Sequence, residues 1–305
     1  MKLIKKHIIA FALLSCTVGI AQQLPQFTQY MFNTISINPA YAGSRETLSI
    51  VGLHRSQWVG IDGAPTTQTL SIHSPLRNEK IGLGFSLIRD ELGFENFTYL
   101  YGDFSYTINT GENTKLAFGL MAGFTQYSLD GDYRAEEGAD PLVYGIEDRW
   151  SPNIGAGVYW HSTRWYLGLS APRLLNQDHS TDDDYKALDR VSYYLTGGYV
   201  FDLSQTIKLK PAFLIKATNG APLSYDLTAN FLFYEKFWVG GGYRLNEGTS
   251  SIGGIVDFQV SKQFRIGYAY EQESSALRNY TGGTHEIIVM FELFKEQRVK
   301  SPRYF

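Results

Sequence analysis

The sequence predicts an all-β fold, a transmembrane antiparallel β-barrel of about 14 strands with a non-barrel N-terminal segment, on three observations. The first is composition. The 305 residues are 44% hydrophobic and 15% aromatic but only 19% charged, with 30 glycines; soluble domains carry roughly a quarter charged residues and about 7% glycine. The second is a period of two, broken every 10 to 20 residues by Gly, Pro, Asn, Asp or Ser, as in successive antiparallel strands. The third is that the connections between these segments alternate between tight and long, as the two mouths of an outer-membrane barrel require. Disorder is excluded by the apolar content. A mean hydropathy of −0.19, with no apolar run of about 18 residues beyond the N-terminus, excludes a helical membrane protein. It does not exclude a barrel, whose lipid-facing and lumen-facing residues average out.

In chain order, residues 1–21 read as a secretory signal peptide. Lys2, Lys5 and Lys6 precede an apolar stretch from Ile8 to Leu14, and Gly19-Ile20-Ala21 offers a small-residue cleavage site. Cys16 is an alternative lipidation site, although Leu14 just before Ser15 is atypical of one. Cleavage near Ala21 removes the only cysteine and three of the 27 basic residues, leaving 24 against 30 acidic ones. The mature chain then has no thiol for disulfides, nucleophilic catalysis or cysteine metal sites. Its mildly acidic balance, without basic runs, speaks against nucleic acid as a partner.

Residues 22–46 are the least barrel-like stretch, with aromatic side chains among amides and no charge before Arg45. So many aromatic groups seek a surface to cover them. Gln26, Phe27, Tyr30, Phe32, Asn38, Pro39 and Tyr41 are therefore candidates for docking on a partner or plugging the barrel mouth; an additional strand sealing the barrel is the simpler alternative. The barrel itself is expected over 47–305. Strands are predicted at 47–55, 66–73, 80–89, 97–108, 114–127, 153–160, 164–171, 191–202, 206–217, 224–234, 236–245, 250–260, 263–272 and 284–294. Most have about the 9 to 11 residues that cross a bilayer at a tilt.

The clearest alternation lies near the C-terminus. Ile252, Gly254, Val256, Phe258 and Val260 share one face and Gly253, Ile255, Asp257 and Gln259 the other; Phe264, Ile266, Tyr268 and Tyr270 alternate with Arg265, Gly267, Ala269 and Glu271. Lysines on one strand face cannot meet lipid. The lumen-facing candidates are therefore Lys208, Lys210, Lys216, Asp226, Asn230, Arg244, Asp257, Gln259, Arg265 and Glu271. Aromatic residues near strand ends, Trp160, Trp165, Tyr166, Tyr193, Tyr194, Tyr199, Phe231, Phe233, Tyr234, Phe237, Trp238 and Tyr243, fit interfacial girdles. Glycines at 197–198, 240–242 and 253–254 would permit bends or close lumen packing.

Tight connections follow the even-numbered strands, as at Ser261-Lys262. Long ones follow odd-numbered strands at 128–152, 172–190 and 273–283, and the expected topology places these outside the cell. The first two are acidic; no metal site is assigned, and Asp182, Asp183 and Asp184 are no more than candidate oxygen ligands for Ca²⁺. Their spacing matches no EF-hand, and solvated outer loops remain the default reading. No enzymatic chemistry is expected. His54, His73, His161, His179 and His285 show no HxxxH spacing, and the adjacent pairs His73-Ser74 and His161-Ser162 point to opposite faces of their strands. The glycine clusters precede no helix that would make them phosphate loops, so no cofactor is expected.

Several stretches carry a resemblance: QFTQYMFNTISINPAYAGS at the start, RSQWVGIDGAPTTQTLSIHSPL after the first strand, GAGVYW and YLGLSAPRLL in the middle, then PAFLIKA, YDLTANF, FWVGGGYR and SPRYF. On these the chain resembles the PorP/SprF family of Bacteroidetes outer-membrane proteins associated with type IX secretion. The resemblance implies an outer-membrane barrel that assists export or surface attachment of a specific client protein, or links the export and gliding machinery to the outer membrane. Its partners would be outer-membrane lipid, the secreted client and other type IX components, with no small-molecule substrate. It implies no catalytic residues. A passive diffusion channel for small solutes is the competing class, because the lumen set allows either.

Overall fold

The computed structural model describes residues 26–129, 148–178, 188–246 and 249–293. Fourteen strands form the barrel: β1 (Leu48–Ser56), β2 (Thr66–Pro75), β3 (Ile81–Leu92), β4 (Glu95–Asn109), β5 (Thr114–Leu129), β6 (Arg149–Ser162), β7 (Trp165–Ala171), β8 (Ser192–Tyr199), β9 (Ile207–Thr218), β10 (Ser224–Phe233), β11 (Phe237–Asn246), β12 (Thr249–Gln259), β13 (Phe264–Glu273) and β14 (Thr284–Leu293). Each pairs antiparallel with its sequence neighbours. The ring closes where β1 meets β14, Leu48 opposite Leu293 and Ser56 opposite His285, so every barrel strand has a neighbour on both sides. An additional two-residue strand, Phe201–Asp202, continues β8 along β9, and a separate short ladder joins Gln177–Asp178 to Leu188–Asp189. No helix among the described residues is long and apolar enough to cross a membrane.

Period two is what makes these segments strands and sets their faces. Along β12 the side chains of Ile252, Val256 and Phe258 are exposed on the outer wall, while Ile255 and Asp257 are buried within. On β13 the exposed Phe264, Ile266, Tyr268 and Tyr270 alternate with the buried Arg265, Gly267, Ala269 and Glu271. Outward pairs align across the ladder: Phe264 faces Phe291, Ile266 faces Val289 and Tyr268 faces Ile287. The result is an apolar exterior continued around the ring by Leu83, Phe104, Leu120, Leu169 and Leu227. Exposed aromatic residues rim one mouth (Tyr106, Trp160, Tyr199, Phe237) and the other (Trp150, Tyr193, Tyr225, Tyr243).

The structure corrects the aromatic set at three places. Tyr166, Tyr194 and Trp238 are not girdle residues: they point inward and are buried, at 3%, 3% and 4% exposure, because their outward-facing sequence neighbours take the lipid side. It also refines the loop pattern. Tight turns gather at one mouth, and the longer connections, such as 57–65 and 274–283, at the other. The β3–β4 connection on the long-loop side is nevertheless just Gly93-Phe94, made possible by Gly93 at φ +59°. The 57–65 loop folds over it, with Gly93 N–H donating to the Gly63 carbonyl at 2.9 Å.

Residues 26–46 form no extra strand. They make three short 3₁₀ turns, Tyr30–Phe32, Thr34–Ser36 and Pro39–Tyr41, inside the barrel.

Candidate functional site in the barrel lumen

A barrel this wide cannot be filled by side chains of the wall alone: about eight strands give an interior that side chains just fill, and the diameter grows with strand number. The inner segment fills the remainder. At the tight-turn mouth Glu46 pairs with Lys115 at 2.6 Å, Arg45 with Glu292 at 2.7 Å, and the Thr47 hydroxyl donates to the Leu293 carbonyl at 2.6 Å. From there the chain runs inward. Ser105 donates to the Ala42 carbonyl (2.6 Å) and Ser170 to the Ile37 carbonyl (2.7 Å). Tyr41 packs edge-on against both His73 and Tyr159, ring centroids 5.3 Å apart in each case.

Local sequence explains the turns. Asn38 precedes Pro39, and its side-chain oxygen accepts from the Ala40 N–H at 3.0 Å, a cap followed by proline at the first position. The same side chain donates to the Val158 carbonyl at 3.1 Å, tying the cap to β6. The wall makes room with glycine. A Cβ at Gly119 would overlap the backbone of Pro39 and Ala40, one at Gly82 the Ala42 carbonyl, and one at Gly157 the Asn38 side chain.

Near the middle, Phe32 is seated among cations. The Arg265 guanidinium lies 3.9 Å from its ring centroid and the Lys210 ammonium 5.1 Å, with Trp238 at 6.1 Å. Desolvated cation–π contacts of this kind contribute about 2 kcal/mol. Phe27, Tyr30, Met31 and Phe32 join Val51, Leu214, Ile255 and Ile288 in one apolar cluster.

Toward the long-loop mouth the segment is held by charge. The Glu286 carboxylate accepts the backbone N–H groups of Thr28 (2.9 Å) and Gln29 (2.8 Å), and Arg55 at 3.2 Å. The Thr28 hydroxyl donates to Glu271 (2.7 Å) and accepts from Arg55 (2.9 Å). Gln26 donates to Asp226 and to Ser224.

All seven segment candidates, Gln26, Phe27, Tyr30, Phe32, Asn38, Pro39 and Tyr41, lie in this interior; Gln26 is half-buried and the others are buried. Their aromatic rings are covered by the barrel wall, which leaves none of them on an exposed docking face. Of the lumen candidates, Lys210, Lys216, Asp226, Asn230, Asp257, Arg265 and Glu271 are buried within the barrel. Arg244 bridges Asp226 and Glu271, and Arg265 pairs with Asp257 at 3.3 Å. Lys208 sits at the rim between Asp202 and Glu235, and Gln259 bonds the Ser261 carbonyl of the adjoining turn. Asp182, Asp183 and Asp184 lie outside the described residues. Sequence reasoning missed Arg55, Glu286 and Glu292, which hold the segment; their signal was a charge on the inward face of an otherwise apolar strand. It also missed Gly82, Gly119 and Gly157.

A closed antiparallel barrel with an apolar outer wall, aromatic rims and charged pairs inside is a transmembrane β-barrel, the class found in bacterial outer membranes. The family described as type IX secretion system membrane protein PorP/SprF matches residues 19–291, and the chain belongs to that family. No curated protein matches in sequence. Among solved structures, the chain is similar to the CymD monoaromatic hydrocarbon channel (13% identity, TM-score 0.51, covering 90% of this chain and 94% of that one). It is also similar to Omp33 of Acinetobacter baumannii (12%, 0.45, 81% and 98%) and to the KdgM porin (10%, 0.40, 81% and 99%). These likenesses concern the fold.

Proposed function

We propose that this protein is a non-enzymatic accessory of type IX secretion in the outer membrane, assisting export or surface attachment of a specific client protein or linking the export and gliding machinery to the membrane. In this reading residues 1–21 are removed and the segment 22–46 serves as a plug. The observation that supports it is the occupied lumen: residues 26–46 fill the barrel with buried aromatic groups and tie into both ends of the wall. A passive diffusion channel has no use for such a seal. Family membership supplies the link to secretion.

The test is a chromosomal deletion of the whole gene, with surface and periplasmic proteomes and uptake of small solutes measured side by side. Loss of a particular surface protein, or its accumulation in the periplasm, with solute uptake unchanged, is the expected result. An intact surface proteome with slowed solute uptake would replace this reading by the diffusion channel.

A further inference from the structure

The inner segment has a direction. Glu46 lies at the tight-turn mouth beside Lys115, the second residue of β5. Gln26 lies at the opposite mouth, bonded to Ser224 at the start of β10. The chain therefore threads the whole lumen between them.

Gln26 forms part of the floor of an open vestibule of about 590 Å³ at the long-loop mouth, within the range of ~300–1,000 Å³ typical of ligand clefts. Trp58, Pro65, Leu92, Leu277 and Tyr280 give it an apolar wall. Its charged lining is three carboxylates, Asp90, Glu271 and Glu273, against two guanidinium groups, Arg55 and Arg244. That surplus of negative charge, next to apolar surface, suits a peptide that begins with an ammonium group and contains Leu and Pro.

We propose that the occupant of this vestibule is the protein's own mature amino terminus, Gln22-Gln23-Leu24-Pro25, which thereby opens on the outer face of the membrane. The proposal rests on cleavage near Ala21 and on the long loops facing outward. Chain length closes the alternative. Four residues reach at most about 14 Å, less than half of the ~30 Å hydrocarbon core, and the way back through the lumen is occupied by residues 26–46. A terminus that starts on the outer side of this seal stays there, and becomes part of the surface offered to whatever passes over the barrel.

The thiol-free mature chain allows a direct test. Gln23→Cys, Asp140→Cys in a long loop and Ser261→Cys in a tight turn are expressed separately as full chains, and intact cells are treated with a membrane-impermeant maleimide. Intact mass of each purified protein reports the cleavage site. The expected result is labelling of Gln23→Cys and Asp140→Cys on intact cells and of Ser261→Cys only after permeabilisation. Labelling of Gln23→Cys only after permeabilisation, while the two controls behave as stated, overturns the proposal; so does no reaction in either state, because an open vestibule admits the reagent. If Ser261→Cys is the one labelled on intact cells, the assumed orientation has failed and the outer-face terminus falls with it.

Discussion

Glu286 is the most exposed point of failure for the sealed lumen, although it is itself 1% exposed. Its carboxylate accepts two backbone N–H groups of the segment and pairs with Arg55, which is also buried. Glu286→Ala takes from the Arg55 cation its nearer carboxylate and leaves the Thr28 and Gln29 N–H groups without their acceptor, but only while the segment is docked; once it leaves, water solvates all three. Breaking a buried ion pair by removing one partner costs about 3–5 kcal/mol. Arg55 keeps the Thr28 hydroxyl at 2.9 Å and Glu271 at 3.9 Å, which places the loss at the lower end, about 3 kcal/mol. At 1.4 kcal/mol per tenfold, the ratio of undocked to docked barrels rises roughly a hundredfold. Single barrels in planar lipid bilayers read this as time spent conducting, and heat-modifiable migration confirms that the variant still closes its ring. A closed barrel whose conductance record matches the unsubstituted protein would refute the argument that Glu286 holds the segment.

Three further outcomes follow from the same geometry. Gly119→Val places a side chain where the backbone of Pro39 and Ala40 now lies; since backbone cannot yield as a flexible side chain does, the segment leaves the wall, and conductance rises as with Glu286→Ala while ring closure persists. Phe32→Ala removes the ring shared by Arg265, Lys210 and Trp238, with a loss of about 3–5 kcal/mol visible as a lower temperature for loss of the segment in limited proteolysis. Lys115→Ala and Arg45→Ala separate rim from interior: the Lys115–Glu46 pair is well exposed, so its removal costs less than about 1 kcal/mol and barely moves that temperature, whereas Arg45→Ala removes a 2.7 Å ion pair of the buried Glu292 and lowers it clearly.

The strands were legible because lipid imposes the alternation from outside. A residue such as Leu227 or Ile266 must be apolar wherever it meets the acyl chains, and its neighbours Asp226 and Arg265 are polar because they do not. All fourteen segments were visible for that reason, and the ends differ by a few residues at most places. The inner segment obeys no such rule. Its 3₁₀ turns repeat nothing, and the sequence shows only that its aromatic groups need cover, not whether a partner or the barrel provides it. The deciding information sits elsewhere in the chain, in glycines at single positions of β3, β5 and β6. Gly82, Gly119 and Gly157 look like ordinary strand glycines until a second backbone is found against them. Of the more conspicuous glycines, Gly198 lies against the buried ring of Tyr166 and Gly240 against the Asn230 side chain, which is close lumen packing, while Gly197 lies beside Phe213 and Gly254 meets nothing; these neighbours belong to the wall.

The charges of the lumen are paired largely within the wall. The segment brings no charge of its own before Arg45; it offers backbone N–H groups, a hydroxyl and aromatic faces to charges that belong to the wall. Those charges are already matched across the strands, Arg244 with Asp226 and Glu271, and Arg265 with Asp257. Withdrawal of residues 26–44 would replace Phe32 over Arg265 and the N–H groups at Glu286 by water, while Arg45 and Glu46 stay paired at the rim. Apart from Arg45 with Glu292 and Glu46 with Lys115 at the tight-turn rim, the part of the segment inside the lumen carries no charge, so ring closure and docking of that part are separable steps. Glu286→Ala and Gly119→Val should therefore open the lumen without preventing assembly of the barrel.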